Sequence, residues 1–328
     1  MMAPSSGSNT VADPVGAAFG MSVPALLGES LSQQAAALNK MASIGLRWIR
    51  FDADWSWIQA AGPSSFYWST TDQLVSAAES AGMSVDLIID DTPSWAAPPR
   101  STPHSFTQPT SAAAFATFAG EVAAHYGPMG VRTYEIWNEP NIHQFWQPAP
   151  NPGLYSAMLK DSHARIKAVQ PDSTVISGGL APSETSRGDY SPIDFLKDMY
   201  ADGVKGSFDA LGDHAYSYPA LPDTYEPWSG WSQMAQTSPS IRSVMIAHGD
   251  GGKRIWITEV GAPSAGRGGV GRNAQAEEIT QAVQAAKTTP WIGGLFVYTF
   301  RTRSGYFGLV NGHGRAKPAW GALAHALS

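Results

Sequence analysis

From about residue 16 onward the chain alternates two hydrophobic patterns. Short unbroken apolar runs rich in Val, Ile and Leu are each followed by a loop carrying Gly or Pro. An Ala-rich stretch then follows, with apolar residues three or four positions apart. Unbroken runs suit strands covered on both faces, whereas the wider spacing suits amphipathic helices. Strands are therefore predicted over Ala18–Val23, Arg47–Asp52, Ser84–Asp90, Arg132–Trp137, Thr174–Gly178, Ala210–His214, Arg254–Glu259 and Gly294–Phe300. Helices are predicted over Leu31–Ile44, Thr70–Ala81, Ser111–Tyr126, Leu154–Val169, Ala274–Lys287 and Lys317–Leu327. Ser30 is expected to cap the first helix and Thr71-Asp72 to open the second. Eight strands alternating with helices imply parallel pairing with right-handed crossovers, hence a single-domain (β/α)8 barrel over residues 16–328. A doubly wound open sheet would need a Gly-rich phosphate turn after its first strand, where Phe19-Gly20-Met21-Ser22 stands instead. Residues 1–15 hold neither a basic start nor an apolar run, and are expected to form a disordered tail.

Composition narrows the partners. With 328 residues, 43% of them hydrophobic, the chain can bury a large core. Charged residues make up only 15% and the net charge is −6, which offers no basic surface for nucleic acid. No apolar run approaches the roughly 20 residues of a membrane span. The absence of cysteine excludes disulfides, iron–sulfur clusters and zinc–thiolate sites. No His/Glu spacing such as H-E-x-x-H occurs, so neither a metal nor another cofactor is expected. His104, His125, His143 and His163 are accordingly not read as ligands. A monomer is expected.

In a barrel of this kind chemistry sits where the strands end. Those ends are rich in acids and aromatics. Strand two brings Arg50, Asp52, Asp54 and Trp55; strand three brings Asp90, Asp91 and Trp95. Strand four ends in Trp137-Asn138-Glu139-Pro140-Asn141, strand six in His214-Ala215-Tyr216, and strand seven in Glu259. Strand eight brings Tyr298, Phe300, Arg301 and Arg303. Acids bracketed by rings suit a sugar, whose apolar faces stack on aromatics while its hydroxyls need polar partners. Asp52, Asp54, Asp90 and Asp91 read equally well as hydroxyl ligands or as loop and helix caps. Glu135 shares strand parity with Glu139 and is expected to be buried against an arginine.

Glu139 in its W-N-E-P-N setting, Phe145-Trp146 after it, and Glu259 closing strand seven resemble clan A of the retaining glycoside hydrolases. The wording is most similar to glycoside hydrolase family 39 and its relatives, which include bacterial exopolysaccharide endoglycosidases. The resemblance implies that Glu139 is the acid/base and Glu259 the nucleophile. It also implies that Arg50 and Tyr216 hold Glu259, that His214 supports the acid/base or a hydroxyl, and that Asn138 holds the 2-hydroxyl. Trp55, Trp95, Trp146, Trp228, Tyr298, Phe300 and Arg301 are expected to line the cleft, with Tyr225–Trp231 as an aromatic wall. The clan's usual strand-eight Trp is missing from Phe296–Arg301, so either Tyr298 or Phe300 floors the cleaved-sugar subsite or the subsite is built differently. Arg301 and Arg303 either meet an acidic sugar or form a helix or loop ion pair.

The expected function is a retaining endo-β-glycosidase acting on a polysaccharide. An exo-acting β-xylosidase-like enzyme is the alternative within that class, and an inactive carbohydrate-binding barrel or a metal-dependent isomerase barrel lies outside it. The absence of an appended domain leans toward endo-cleavage. A secreted or envelope location with its signal removed is expected, with the cytoplasm left open. One geometric difficulty remains. Neighbouring strand residues point to opposite faces, yet Asn138 and Glu139 must both reach the sugar, so a bulge or break is predicted there.

Overall fold

The computed structural model describes residues 16–99, 106–302 and 306–328. The tail expected over residues 1–15, together with His104 and Arg303, lies outside them. Eight strands form one closed, wholly parallel barrel in sequence order: β1 (Ala18–Ser22), β2 (Trp48–Asp54), β3 (Ser84–Asp90), β4 (Thr133–Asn138), β5 (Thr174–Gly179), β6 (Ala210–His214), β7 (Arg254–Val260) and β8 (Ile292–Tyr298). Around it run α1 (Leu31–Ser43), α2 (Trp55–Ile58), α3 (Ser69–Ser80), α4 (Ala112–Tyr126), α5 (Pro152–Val169), α6 (Pro192–Ala201), α7 (Ile241–Ala247), α8 (Arg272–Thr288) and α9 (Pro318–Leu327). Among the described residues no helix is long and apolar enough to cross a membrane.

Local chemistry explains most helix starts. Ser30 closes a capping box with Gln33 at the head of α1, which buries Ala37, Leu38 and Met41 against the barrel. Asn151 caps α5, whose first residue is proline, a residue pre-set for that position. The cap expected of Thr71-Asp72 is corrected: α3 begins at Ser69, one residue before the predicted Thr70, after Trp68 and with no side-chain cap. Asp72 sits in the first turn and bonds His125 of α4 at 2.8 Å.

The barrel interior is layered. At its base Trp48 and Trp256 meet edge to face, 5.4 Å between centroids, and Phe296 stacks on Trp256. Gly20 makes room for them, since a Cβ there would lie 2.5 Å from the Phe296 ring. Above this aromatic plug Arg50, Glu135 and Thr258 fill the middle layer, fully buried. The polar residues of the site therefore rest on a packed floor.

Candidate active site

Arg50, one turn of the pleat below the mouth, organises the site. Its Nε and Nη2 donate to the two carboxylate oxygens of Glu135 at 2.6 and 3.1 Å. Its Nη1 donates to Glu259 Oε1 at 2.7 Å, and Nη2 also donates to Asn138 Oδ1 at 2.9 Å. Glu135 Oε1 accepts further bonds from the Gly179 amide (2.7 Å) and the Thr258 hydroxyl (3.2 Å). A buried carboxylate with this many donors is a structural anchor, as the sequence led us to expect.

Glu259 Oε2 accepts from the Tyr216 hydroxyl at 2.6 Å. Burial alone pushes the Glu259 carboxyl up, but His214, Arg50 and the Tyr216 hydroxyl together outweigh it, and its pKa is lowered. Glu259 is therefore held as an anion. Opposite, His214 Nδ1 lies 2.7 Å from Glu139 Oε1 and 3.8 Å from Glu259 Oε2. A ring nitrogen of His214 and one oxygen from each glutamate all lie within 4.8 Å of one another. Burial lowers the His214 pKa, yet the negative charge of Glu259 and the bond to Glu139 win, so it is raised. This trio could in principle hold a cation, but the Arg50 guanidinium, bonded to Glu259 and 3.4 Å from His214 Nε2, already supplies positive charge there.

Strand four solves its facing problem by a break. Register with β5 runs unshifted from Ile136↔Ser177 to Asn138↔Gly179, so no bulge is present. Instead Trp137 (φ 70°) and Glu139 (φ 47°) adopt left-handed backbone on either side of Asn138. Trp137 turns into the helix layer, against Phe115 and Trp146, leaving Asn138 and Glu139 at the mouth. Two glycines permit this. A Cβ on Gly178 would lie 2.5 Å from the Trp137 carbonyl oxygen, and one on Gly179 would lie 2.3 Å from His214 Nε2. A true register shift occurs on strand seven: β6 pairs Asp213↔Ile257 and then His214↔Glu259. That irregularity lets both Thr258 and Glu259 reach the network.

Several expected cleft residues lie elsewhere. Trp55 is fully buried, because the chain turns into α2 at that point and swings the indole onto Phe118 and Phe115 of α4. Trp146 is fully buried between Trp137 and Tyr155, its Nε1 donating to Gln108. β8 ends at Tyr298, two residues short of the expected boundary, so Phe300 packs against Trp320 of α9 instead of flooring the cleft. Arg301 is ion-paired with Glu29, which answers its charge. Trp95 remains 38% exposed, edge to face with Trp55, and Trp228 remains 39% exposed, its Nε1 donating to Glu226. Trp231, at the end of the expected Tyr225–Trp231 wall, is buried, whereas Tyr225 is exposed.

Tyr298 stays at the mouth, 6.5 Å from the Tyr216 ring and 5.5 Å from Phe307. Burial and the Glu259 charge push its hydroxyl up to about 12. Phe307 also meets Tyr216 and Tyr218. Tyr218 and Phe307 were missed in the sequence. Phe307 is held by a returning loop, in which Leu309 and Val310 bond back to Thr299 and Phe300, and the missing strand-eight Trp was the one signal that another ring must stand there.

An eight-stranded barrel with facing glutamates at the ends of strands four and seven is the arrangement of the barrel glycoside hydrolases. The model of the cellulase family (glycosyl hydrolase family 5) matches residues 7–293, and the chain belongs to that family. Among solved structures it is similar to a family 39 glycoside hydrolase from the gut symbiont Bacteroides cellulosilyticus WH2, with 22% identity over 97% of this chain and a TM-score of 0.74. A GH39 enzyme from Xanthomonas axonopodis pv. citri gives 19% identity over 96% of this chain and a TM-score of 0.71. The chain spans 64% and 66% of the lengths of those two proteins. A GH5_18 protein from Streptomyces cattleya, solved in complex with GlcNAc, gives 19% identity, 95% and 80% coverage of the two chains and a TM-score of 0.69. At these identities the likeness is one of fold. No curated protein sequence matches the chain.

Proposed function

We propose that this protein hydrolyses β-glycosidic bonds within a polysaccharide with retention of configuration. Glu259 attacks the anomeric carbon as the bond to the leaving oxygen breaks, and Glu139 gives that oxygen its proton. Glu139 then takes a proton from water, whose oxygen attacks the same carbon and frees Glu259. The observation that carries this reading is the approach of the two carboxyls, with oxygens within 4.8 Å. That suits the roughly 5–5.5 Å separation of retaining enzymes, against about 6.5–9.5 Å for inverting ones. The partners divide the roles. Arg50 and Tyr216 keep Glu259 ionised, while an Nδ1–H of His214 donating to Glu139 Oε1 leaves the other oxygen for the transferred proton. Asn138, fixed by Arg50, is placed for the 2-hydroxyl.

Endo-action is supported by exposed aromatics on both sides of the pair: Trp57 and Trp95 after β2 and β3, Tyr225 and Trp228 after β6. A polysaccharide substrate would place the enzyme at the envelope or outside the cell. Proton NMR of products formed from oligosaccharides is the test. The first-formed anomer should match the substrate, and internal bonds should be cut before terminal ones. An inverted first product would overturn the mechanism, and release of single sugars alone would overturn endo-action.

A further inference from the structure

The β2–β3 side of the mouth carries carboxyl groups that the proposed reaction does not use. Asp52 and Asp54 end β2 and Asp90 ends β3, with Asp54 and Asp90 directly paired in register. Asp91 follows in left-handed backbone, φ 56°. Asp90 is only 4% exposed and its Oδ1 has no hydrogen-bond partner; the buried Oδ1 of Asp91 has none either. Among the described residues Asp52, Asp90 and Asp91 take part in no ion pair, while the nearby guanidinium of Arg50 is engaged by Glu135, Glu259 and Asn138.

Burial and mutual repulsion drive these acids up, Asp52 to about 6 and Asp91 to about 8, with Asp90 also raised. The group adjoins the catalytic pair: the Glu259 charge helps to raise Asp52, and the Asp52 charge helps to raise Tyr298. Two exposed rings stand in the segments that follow these strands: Trp95 after β3, and Trp57 after β2, which is 69% exposed and whose amide donates to Asp54 Oδ1.

We propose that this side of the cleft is a subsite for a sugar bearing a free, protonated amino group, so that the polysaccharide cleaved contains unacetylated hexosamine. An ammonium set among Asp52, Asp90 and Asp91 gives the partnerless oxygens a charged donor and offsets their repulsion. The indoles offer faces for the sugar ring and for the cation. A bare metal ion fits less well. Oxygens around a calcium ion at about 2.3–2.6 Å lie within about 5 Å of one another. Among the described residues only Glu139, His214 and Glu259 bring three such atoms that close. The proposal rests on the mouth being a saccharide cleft.

The test is calorimetric binding to the full chain at pH 6, followed by digestion. The ligands are tetrasaccharides of glucosamine, N-acetylglucosamine and glucose, each in β-1,3, β-1,4 and β-1,6 linkage. One of the glucosamine tetramers should bind at least about tenfold more tightly than its acetylated and glucose counterparts. That advantage should fade at about 0.5 M salt and fall several-fold in Asp91→Asn and in Asp90→Asn. Asp91 is the more exposed of the two, so its variant serves if Asp90→Asn fails to fold. Equal or weaker binding of every amino ligand, or an advantage unchanged in the Asp91→Asn protein, overturns the proposal. Retaining hydrolysis of a neutral or acetylated tetramer without amino preference would leave the glycosidase reading standing and remove only this one. If no tetramer is bound or cleaved, both fall.

Discussion

The two halves of the barrel mouth treat buried carboxyls in opposite ways. On the β4–β7 side Glu135, Glu139 and Glu259 all have donors: four bonds to Glu135, Arg50 and Tyr216 on Glu259, and His214 on Glu139. On the β2–β3 side Asp52, Asp90 and Asp91 crowd together with no cation of their own among the described residues. Donors and positive charge thus lower the pKa of Glu259 on one side, while burial and mutual repulsion raise those of the aspartates on the other. Arg50 makes the difference, since its fork can satisfy Glu135, Glu259 and Asn138 but reaches no further. The first half is built for fixed chemistry, the second to be completed by a ligand.

Removing the proposed nucleophile tests the first half most severely. Glu259→Gln keeps the bonds to Tyr216 and Arg50 largely isosteric but cannot attack carbon. Turnover should fall by at least about a thousandfold in a steady-state assay, with the melting temperature nearly unchanged. Retained turnover would remove Glu259 from the mechanism. Next in size is Arg50→Met, which leaves Glu135 buried without a counter-charge. Unfolding in urea should show a loss of about 3–5 kcal/mol, the usual cost of a buried ion pair broken on one side. A loss below about 1 kcal/mol would mean that the Gly179 amide and Thr258 hydroxyl suffice for Glu135, and the contrast between the halves would collapse.

Tyr216→Phe asks less. It removes one 2.6 Å bond to Glu259 and leaves the ring contact with Tyr298. A drop of about 10- to 100-fold in kcat/KM is expected, below the 10²–10³ of a lost oxyanion donor, because Arg50 still holds the carboxylate. The pH profile separates this from simple misplacement. Glu259 has a lowered pKa, so activity should persist until pH falls below the ordinary carboxylate range. Without the tyrosine that acid limb should move upward, and an unmoved limb would deny the hydroxyl its electrostatic role.

The barrel and the meeting of Glu139 with Glu259, the proposed catalytic pair, were legible because each rests on local pattern. Buried parallel strands need unbroken apolar runs, and every predicted strand is found within two residues of its bounds. Glu139 and Glu259 stood out at their strand ends and took their roles from the resemblance to clan A, which also implied those of Arg50, Tyr216 and His214; only Glu135 followed from parity. What could not be read depends on where the chain turns after a strand. Trp55 looked like a cleft residue, but one helical turn carries it into the α4 layer. Phe300 was misplaced because β8 stops two residues earlier, and Phe307 reaches the mouth only through a long-range return of its loop. The facing problem at Asn138 was legible, but its solution depends on glycines of the neighbouring strand.

The finest test of the contrast is the pH dependence of stability. A carboxyl whose pKa is raised by folding binds its proton more tightly in the native state. It stabilises the fold fully below the unfolded value, near 3.9, and that contribution is lost as pH rises through the native value. For Asp91 the window therefore runs from about pH 4 to about 8, with burial and the charges of Asp54 and Asp52 as the cause. Glu259 has the opposite sign: its lowered pKa adds stability at neutral pH that is lost only on acidification. Between pH 5 and 8 the carboxyls with raised pKa should dominate, the β2–β3 acids together with Asp213 and Glu278, which burial pushes up to about 8, so the urea midpoint should fall as pH rises. Asp91→Asn cannot ionise and should make that fall shallower, though not flat, because Asp90, Asp52, Asp213 and Glu278 still titrate in the same direction. At pH 8 the variant should be the more stable protein, by a margin smaller than any effect above. An unchanged slope would show that Asp91 already finds a counter-charge in the native state, and the two halves of the mouth would no longer differ in the way described.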